Sequence, residues 1–249
     1  MPTHPQPRSQ SGPKMFGALF IAGALIGLVG NALHPHTADL DPAATIQALA
    51  GNGAWVPIHV AIIVAILLII GGLVGLAEEV TGTPGGPFAR LGLAAAVLGG
   101  AVVTVSSAID GFGMKALAVA SAAAAGPAAA DALRISVAIN EVFFGVWSIG
   151  MLAFFGLAFG CFGGAVIASG RYPRWFGGIA VAAAAGSAAA ALLQIAANGE
   201  VQMAETLFFA SSLILTLWTL ALGIVMWRGH ADAVVDTLTM ASPAPDLQA

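Results

Sequence analysis

Charge is what this sequence has least of. Only 8% of its 249 residues are Asp, Glu, Lys or Arg, where an ordinary soluble domain carries about a quarter. So few charges, with a mean hydropathy of +0.93, exclude a water-solvated globule and point to a chain whose solvent is lipid. Cysteine is nearly absent too. Cys161 stands alone, which excludes an intramolecular disulfide and leaves it as a small packing residue inside an apolar run. Enzyme signatures are missing as well: there is no GxSxG, no P-loop, no CxxC or CxxCH, no HExxH. Glu78-Glu79 lacks the partners of an intramembrane protease motif, and Thr81-Gly82-Thr83-Pro84-Gly85-Gly86 has no lysine behind it to make a phosphate cradle. Short alternating segments, the mark of a transmembrane barrel, do not occur either.

What is present is continuous apolar sequence. A hydrocarbon core about 30 Å thick takes roughly 20 helical residues to cross. Six runs reach about that length: Met15–Leu33, Trp55–Ala77, Leu91–Ile109, Val142–Ile167, Phe176–Ala197 and Leu207–Trp227. The expected fold is an all-α bundle of six transmembrane helices over residues 15–227, between disordered ends at 1–14 and 228–249. Arg8, Lys14, Arg90, Arg171, Arg174 and Arg228 flank one side of these runs, and only Lys115 and Arg134 the other. Basic residues stay cytoplasmic, so both termini are expected inside. Sorted the same way, seven acids against two bases leave the outer side at −5, and six bases against five acids leave the inner side at +1, which restores the total of −4. An outer surface of that sign attracts cations and argues against a nucleic-acid partner. Gly30-Asn31-Ala32 has the small-residue character of a signal-peptidase site. The run before it is long for a signal peptide, however, and its loss would unpair the topology, so it is expected to stay.

The connecting segments carry their own signals. Asp41 can cap a short helix that starts at Pro42 and stops at Gly51, with Ile46 and Leu49 expected to lie on the membrane surface. After Asp110 the third helix is expected to continue past Gly111 and Gly113 as an exposed helix, broken near Gly126-Pro127. Gly23 and Gly27, Gly71 and Gly75, and Gly156, Gly160 and Gly164 recur every four residues, which lets helix backbones approach closely within one bundle.

The stretch GGAVIASGRYPRWFGGIAVAAAAG at 163–186 resembles the bacterial six-helix membrane proteins of the DUF4386-like group, a domain of unknown function. In that group a helix ends in a small residue, a basic residue and Pro-Arg; the corresponding residues here are Ser169, Gly170, Arg171, Pro173, Arg174 and Trp175. The resemblance extends from about Gly17 to Trp227 and implies a fold and an envelope location, but no activity. Physically, Pro173 would stop the fourth helix, Arg171 and Arg174 would meet anionic headgroups, and Tyr172 and Trp175 would anchor at the interface.

Ionisable residues in a membrane chain are functional candidates by default, and here they gather at one side. Asn31 and His34 share a face at the end of the first run. His59 enters one turn into the second, after Trp55. Ser106, Ser107 and Asp110 end the third; Arg134, Glu141 and Ser148 recur every seven residues into the fourth. Gln194 and Asn198 share a face of the fifth, and Glu205, Ser212, Thr216 and Thr219 form a stripe on the sixth. The expected ligand-binding set is Asn31, His34, His59, Asp110, Arg134, Glu141, Gln194 and Asn198, lining an outward-facing polar pocket, with Arg134 as the partner of one acid. The competing reading is that helix ends are simply wet and that Ser and Thr bond back to their own helices.

The functional expectation is a non-catalytic binding or accessory role for a small molecule, a lipid headgroup or a membrane protein partner, in a multi-pass protein of the inner or plasma membrane. The alternative is a haem or divalent metal held by His34 and His59, with His36 and Asp39 or Asp41 as further ligands. With His36 beyond the helix end, only two nitrogens are well placed, so metal is expected to bind weakly or not at all. A small transporter is a third option. It is disfavoured because the halves show no clear repeat and no Gly/Pro-broken pair of helices at midplane.

Overall fold

The computed structural model describes residues 11–35, 42–197 and 201–240, and among these residues it contains helices and no strand. Helix α1 spans Ser11–Leu33, α2 Pro42–Gly51, α3 Trp55–Val80 and α4 Gly86–Ala108. A π-helical segment, Ile109–Met114, joins α4 to α5 (Lys115–Ala123). Helix α6 (Pro127–Gly150) passes through a second π-helical segment, Met151–Ala158, into α7 (Phe159–Ser169). Helices α8 (Arg174–Ala197) and α9 (Gln202–Met240) complete the chain. Six continuous spans are long and apolar enough to cross a membrane: Lys14–Leu33, Trp55–Val80, Gly86–Ala123, Pro127–Ser169, Arg174–Ala197 and Gln202–Gly229. Of the two ends expected to be disordered, 1–10 and 241–249 lie outside the described residues, while residues 11–14 already belong to α1 and α9 continues as helix past Arg228 to Met240.

Small residues set the packing. A Cβ on Gly23 would lie 3.0 Å from the Ala65 carbonyl oxygen of α3. Where α1 meets α9, a Cβ on Gly17 would lie 2.8 Å from Gly223 O. Gly163 of α7 and Gly177 of α8 press on each other's backbone in the same way, at 2.8 and 2.5 Å. Without a hydrophobic force between helices in lipid, such contacts are what holds the bundle together. The core they enclose includes Phe20, Leu73, Leu76, Phe154, Phe159, Phe162, Leu215 and Leu222, all buried.

The span Pro127–Ser169 has 43 residues, roughly 65 Å of helix at 1.5 Å per residue, which overshoots a bilayer core of about 30 Å. Its surplus, the first half of α6, joins α2 and α5 in a cap over one end of the bundle. The cap has a core of its own: Ile46, Leu49, Trp55, Met114 and Ala118, with Leu117, Leu133 and Ile139 packed against it. Ile46 and Leu49 therefore face protein, not the membrane surface as the sequence suggested; α5 offers them an apolar partner that the Ala-rich sequence did not advertise. Lys115 secures this arrangement. Its Nζ donates to the carbonyls of Leu49, Ala50 and Asn52 at 2.7, 2.9 and 2.8 Å, placing a cation on the negative C-terminal end of α2.

At the opposite end, Gly170 adopts a left-handed conformation (φ 68°) directly after α7, so the glycine ends this helix ahead of Pro173. Trp175 is exposed, as an interfacial anchor should be, but Tyr172 is buried in the main core. There its ring stacks on Phe176. Burial, reinforced by the neighbouring Glu79 carboxylate, holds the Tyr172 phenol above its ordinary range.

Candidate functional site

Three chain segments meet beneath the cap. His34 follows the last turn of α1, His59 lies one turn into α3, and Asp110 belongs to the first π-helical segment. His59 Nε2 stands 3.0 Å from Asp110 Oδ2, and His34 Nε2 stands 3.9 Å from the same oxygen. Each imidazole is fixed from behind by a backbone carbonyl: His59 Nδ1 lies 2.8 Å from Trp55 O, and His34 Nδ1 lies 3.1 Å from Pro35 O. A carbonyl only accepts, so each Nδ1 carries a hydrogen and each Nε2 is the nitrogen turned toward Asp110. One proton then lies on the His59–Asp110 axis, on the nitrogen or on the oxygen.

The π-helical segment explains how Asp110 gets there. An extra residue in the turn widens the helix and frees backbone groups, and such segments recur at functional sites. Here Trp55 Nε1 donates to the Asp110 carbonyl at 2.9 Å. Gly111 lies so close that a Cβ on it would sit 2.5 Å from His59 Cβ; only glycine lets the two segments meet. Trp55 also packs on both imidazoles, with ring centroids 5.0 Å from His34 and 4.8 Å from His59. His59 is buried, whereas His34 and Asp110 are partly exposed.

Next to this cluster lies a cavity of about 410 Å³, within the roughly 300–1,000 Å³ typical of small-molecule sites. Its polar lining includes His34, His59, Asp110, Asn31, Glu141 and Glu205. Its wall is aromatic: Phe143, Phe144, Trp147, Phe155 and Phe208 all line it. Phe208 meets Trp147 and Phe155 edge to face at 5.4 and 5.1 Å, a geometry favoured by ring quadrupoles. Sequence reasoning did not single out this wall. Its signal was the i, i+4 spacing of Phe143 and Trp147, continued by Met151 and Phe155.

Of the residues expected from sequence, Asn31, His34, His59, Asp110, Glu141 and Gln194 line the cavity. Gln194 is buried, and its Oε1 lies 3.0 Å from Ser148 Oγ, whose single proton is shared with the Phe144 carbonyl at 2.8 Å. Arg134 is not part of the lining. It is exposed and pairs with Asp131 three residues back on the same helix, so it does not reach Asp110 or Glu141. Asn198 and His36, with Asp39 and Asp41, lie outside the described residues. Ser212, Thr216 and Thr219 each donate to a carbonyl of their own helix, which makes them small lining or packing residues with their hydrogen bonds met internally.

These features define a multi-pass membrane protein with six helical spans and a His–His–Asp cluster lining a cavity rich in aromatic residues. The chain belongs to the family described as Domain of unknown function (DUF4386), whose model matches residues 15–223. No curated protein matches it, and no solved structure does.

Proposed function

We propose that this protein binds an amphiphilic small molecule from the outer side of a bacterial plasma membrane, with both termini in the cytoplasm and no chemistry performed on the ligand. The observation that carries this reading is the cavity, in which aromatic and ionisable side chains line one space. An apolar body would lie against Trp147, Phe155 and Phe208, and a polar end would meet His34, His59 and Asp110. Three carboxylates, Asp110, Glu141 and Glu205, line the space, which favours a neutral or cationic polar end over an anionic one. The orientation rests on the six-to-two division of basic residues. Of the two exceptions, Lys115 is occupied in holding carbonyl groups, so its position follows from packing.

Native mass spectrometry of protein purified in mild detergent tests the binding. The wild type should carry a bound organic molecule. Ser212→Trp should not, because Ser212 lines the cavity and bonds only to its own helix, so an indole there fills space without breaking a contact between helices. A bare wild-type chain that no long-chain amine, alcohol or quinone stabilises against heat would reject the reading. Cysteine labelling tests the orientation. In a Cys161→Ala background, Gly53→Cys should react with an impermeant maleimide in intact cells, and Thr81→Cys only after lysis.

A further inference from the structure

We propose that His34, His59 and Asp110 form a three-ligand site for a divalent d-block cation of the zinc class, with the fourth position open toward the cavity. The three side chains each present one ligand atom, and these atoms lie within 4.8 Å of one another. Around a tetrahedral ion with bonds of about 2.0–2.2 Å, ligand atoms stand about 3.3–3.6 Å apart. The separations from Asp110 Oδ2, 3.0 Å to His59 and 3.9 Å to His34, bracket that spacing. The two imidazole nitrogens lie within 4.8 Å of each other, so closing the set takes a small shift. His34, partly exposed just after the last turn of α1, would make that shift while keeping its bond to Pro35 O.

The surroundings are those that a metal site needs. Metal-binding histidines almost always donate their second ring N–H to a carbonyl or carboxylate, which fixes the tautomer and aims the other nitrogen. Both imidazoles do so here, onto Trp55 O and Pro35 O. Asp110 is held through its own main chain by Trp55 Nε1, and the contact of Gly111 with His59 sets the distance between the two segments. Two imidazoles and one carboxylate suit zinc-class ions; magnesium and calcium call for an all-oxygen shell. The cation takes the place of the proton on the His59–Asp110 axis, and that proton leaves to solvent. Asp110 supplies the third ligand that the sequence reading lacked when it counted only two well-placed nitrogens. Three protein ligands with one open position is the arrangement of a site that engages a further group, and that position faces the cavity where the polar end of a ligand would lie.

The full-length chain, purified without a histidine tag and stripped with a chelator, is titrated with zinc (by elemental analysis) and with cobalt (by visible absorption). One equivalent per chain, with the intense bands of tetrahedral cobalt, is the expected result. Asp110→Asn, which keeps the shape and a hydrogen bond to His59, should weaken binding by roughly a hundredfold or more, since loss of even an outer-shell partner costs about 10–100-fold. His34→Gln should do the same. His34 is partly exposed, so this variant decides the matter if Asp110→Asn does not fold. Ser212→Trp, which fills the organic part of the cavity, should keep the metal, so the metal site and the organic ligand stand or fall separately. Failure of the wild type to hold a stoichiometric ion, or an unchanged cobalt spectrum in folded His34→Gln, overturns the proposal.

Discussion

At the end of the bundle that contains Tyr172, a Cβ on Gly17 of α1 would lie 2.8 Å from both Gly223 O and Trp227 N of α9. Further along the same helix, Gly27 faces the cavity, and a Cβ there would meet only Ala65 Cβ, at an ordinary 3.5 Å. One helix thus has two jobs. Its first half is closed against α9 by backbone contact. In its second half Gly27 and Gly30 face α3, and Gly27 lines a space together with Phe143, Phe208 and Ser212. The lesson is that the same residue type, at similar spacing, builds a seal at one end and a void at the other, according to what stands opposite.

The comparison breaks first at the seal. Gly17→Ala should lower stability by about 1–3 kcal/mol, the usual cost of forcing atoms into packed space, because the obstructing atoms are backbone and cannot swing away. Gly27→Ala should be neutral or gain up to about 1 kcal/mol, since alanine is the better helix former and nothing is displaced. Thermal unfolding of both variants in the same detergent checks this. Equal losses in the two would mean that α1 packs uniformly along its length.

The cap gives a second contrast, between two basic residues at one end. Lys115 holds three carbonyl oxygens, whereas Arg134 makes an exposed pair with Asp131. Lys115→Met should cost about 1.5–3 kcal/mol, the range for hydrogen bonds to a charged group, and should speed hydrogen exchange in α2. Arg134→Met should change stability by less than about 1 kcal/mol, as exposed pairs do. Unchanged exchange in α2 of Lys115→Met would show that the cap holds without its staple.

Much of this was legible in the sequence, for physical reasons that can be named. Six apolar runs must be helices in lipid, because no other open structure satisfies the backbone there. Pro42 and Gly51 bound α2 because they are strong local start and stop signals, respectively. The parts that were not legible depend on tertiary partners. Ala-rich sequence does not reveal that α6 begins as early as Pro127, because alanine suits water, protein and lipid alike. Ile46 and Leu49 look the same whether they meet lipid or α5. Asp110 was visible as a polar helix end, and the glycines at 111 and 113 were noted, but not that the helix widens into a π-turn there and carries the carboxylate to both histidines. Arg134 shares a seven-residue repeat with Glu141 and Ser148, and that repeat hides the nearer acid, Asp131.

Inside the bundle, Ser148 and Gln194 tie α6 to α8 at the edge of the cavity. Ser148→Ala should cost about 1 kcal/mol, the net worth of an ordinary hydrogen bond, and should leave the Tyr172 end unaltered. A melting temperature within error of wild type would mean that the amide of Gln194 finds another partner in the cavity.

The smallest effect belongs to the closed end and can be read from a single chromophore, since Tyr172 is the only tyrosine in the chain. Ionising a buried phenol beside a carboxylate places a second negative charge next to the first, in surroundings that solvate neither well. Tyr172 should therefore keep its proton well above the ordinary value of 10.0, and phenolate absorbance should stay low until the protein unfolds. The unfolded chain, with its tyrosine at the ordinary value, releases its proton first as pH climbs past 10.0, so folding stability falls with pH in that range. Replacing Glu79 with glutamine removes one of the two causes while leaving burial in place. In Glu79→Gln the phenolate should appear at lower pH than in wild type, though still above the ordinary value. An alkaline absorbance titration that follows free tyrosine in both proteins would mean that Tyr172 faces water, and that this end of the bundle is not the sealed one.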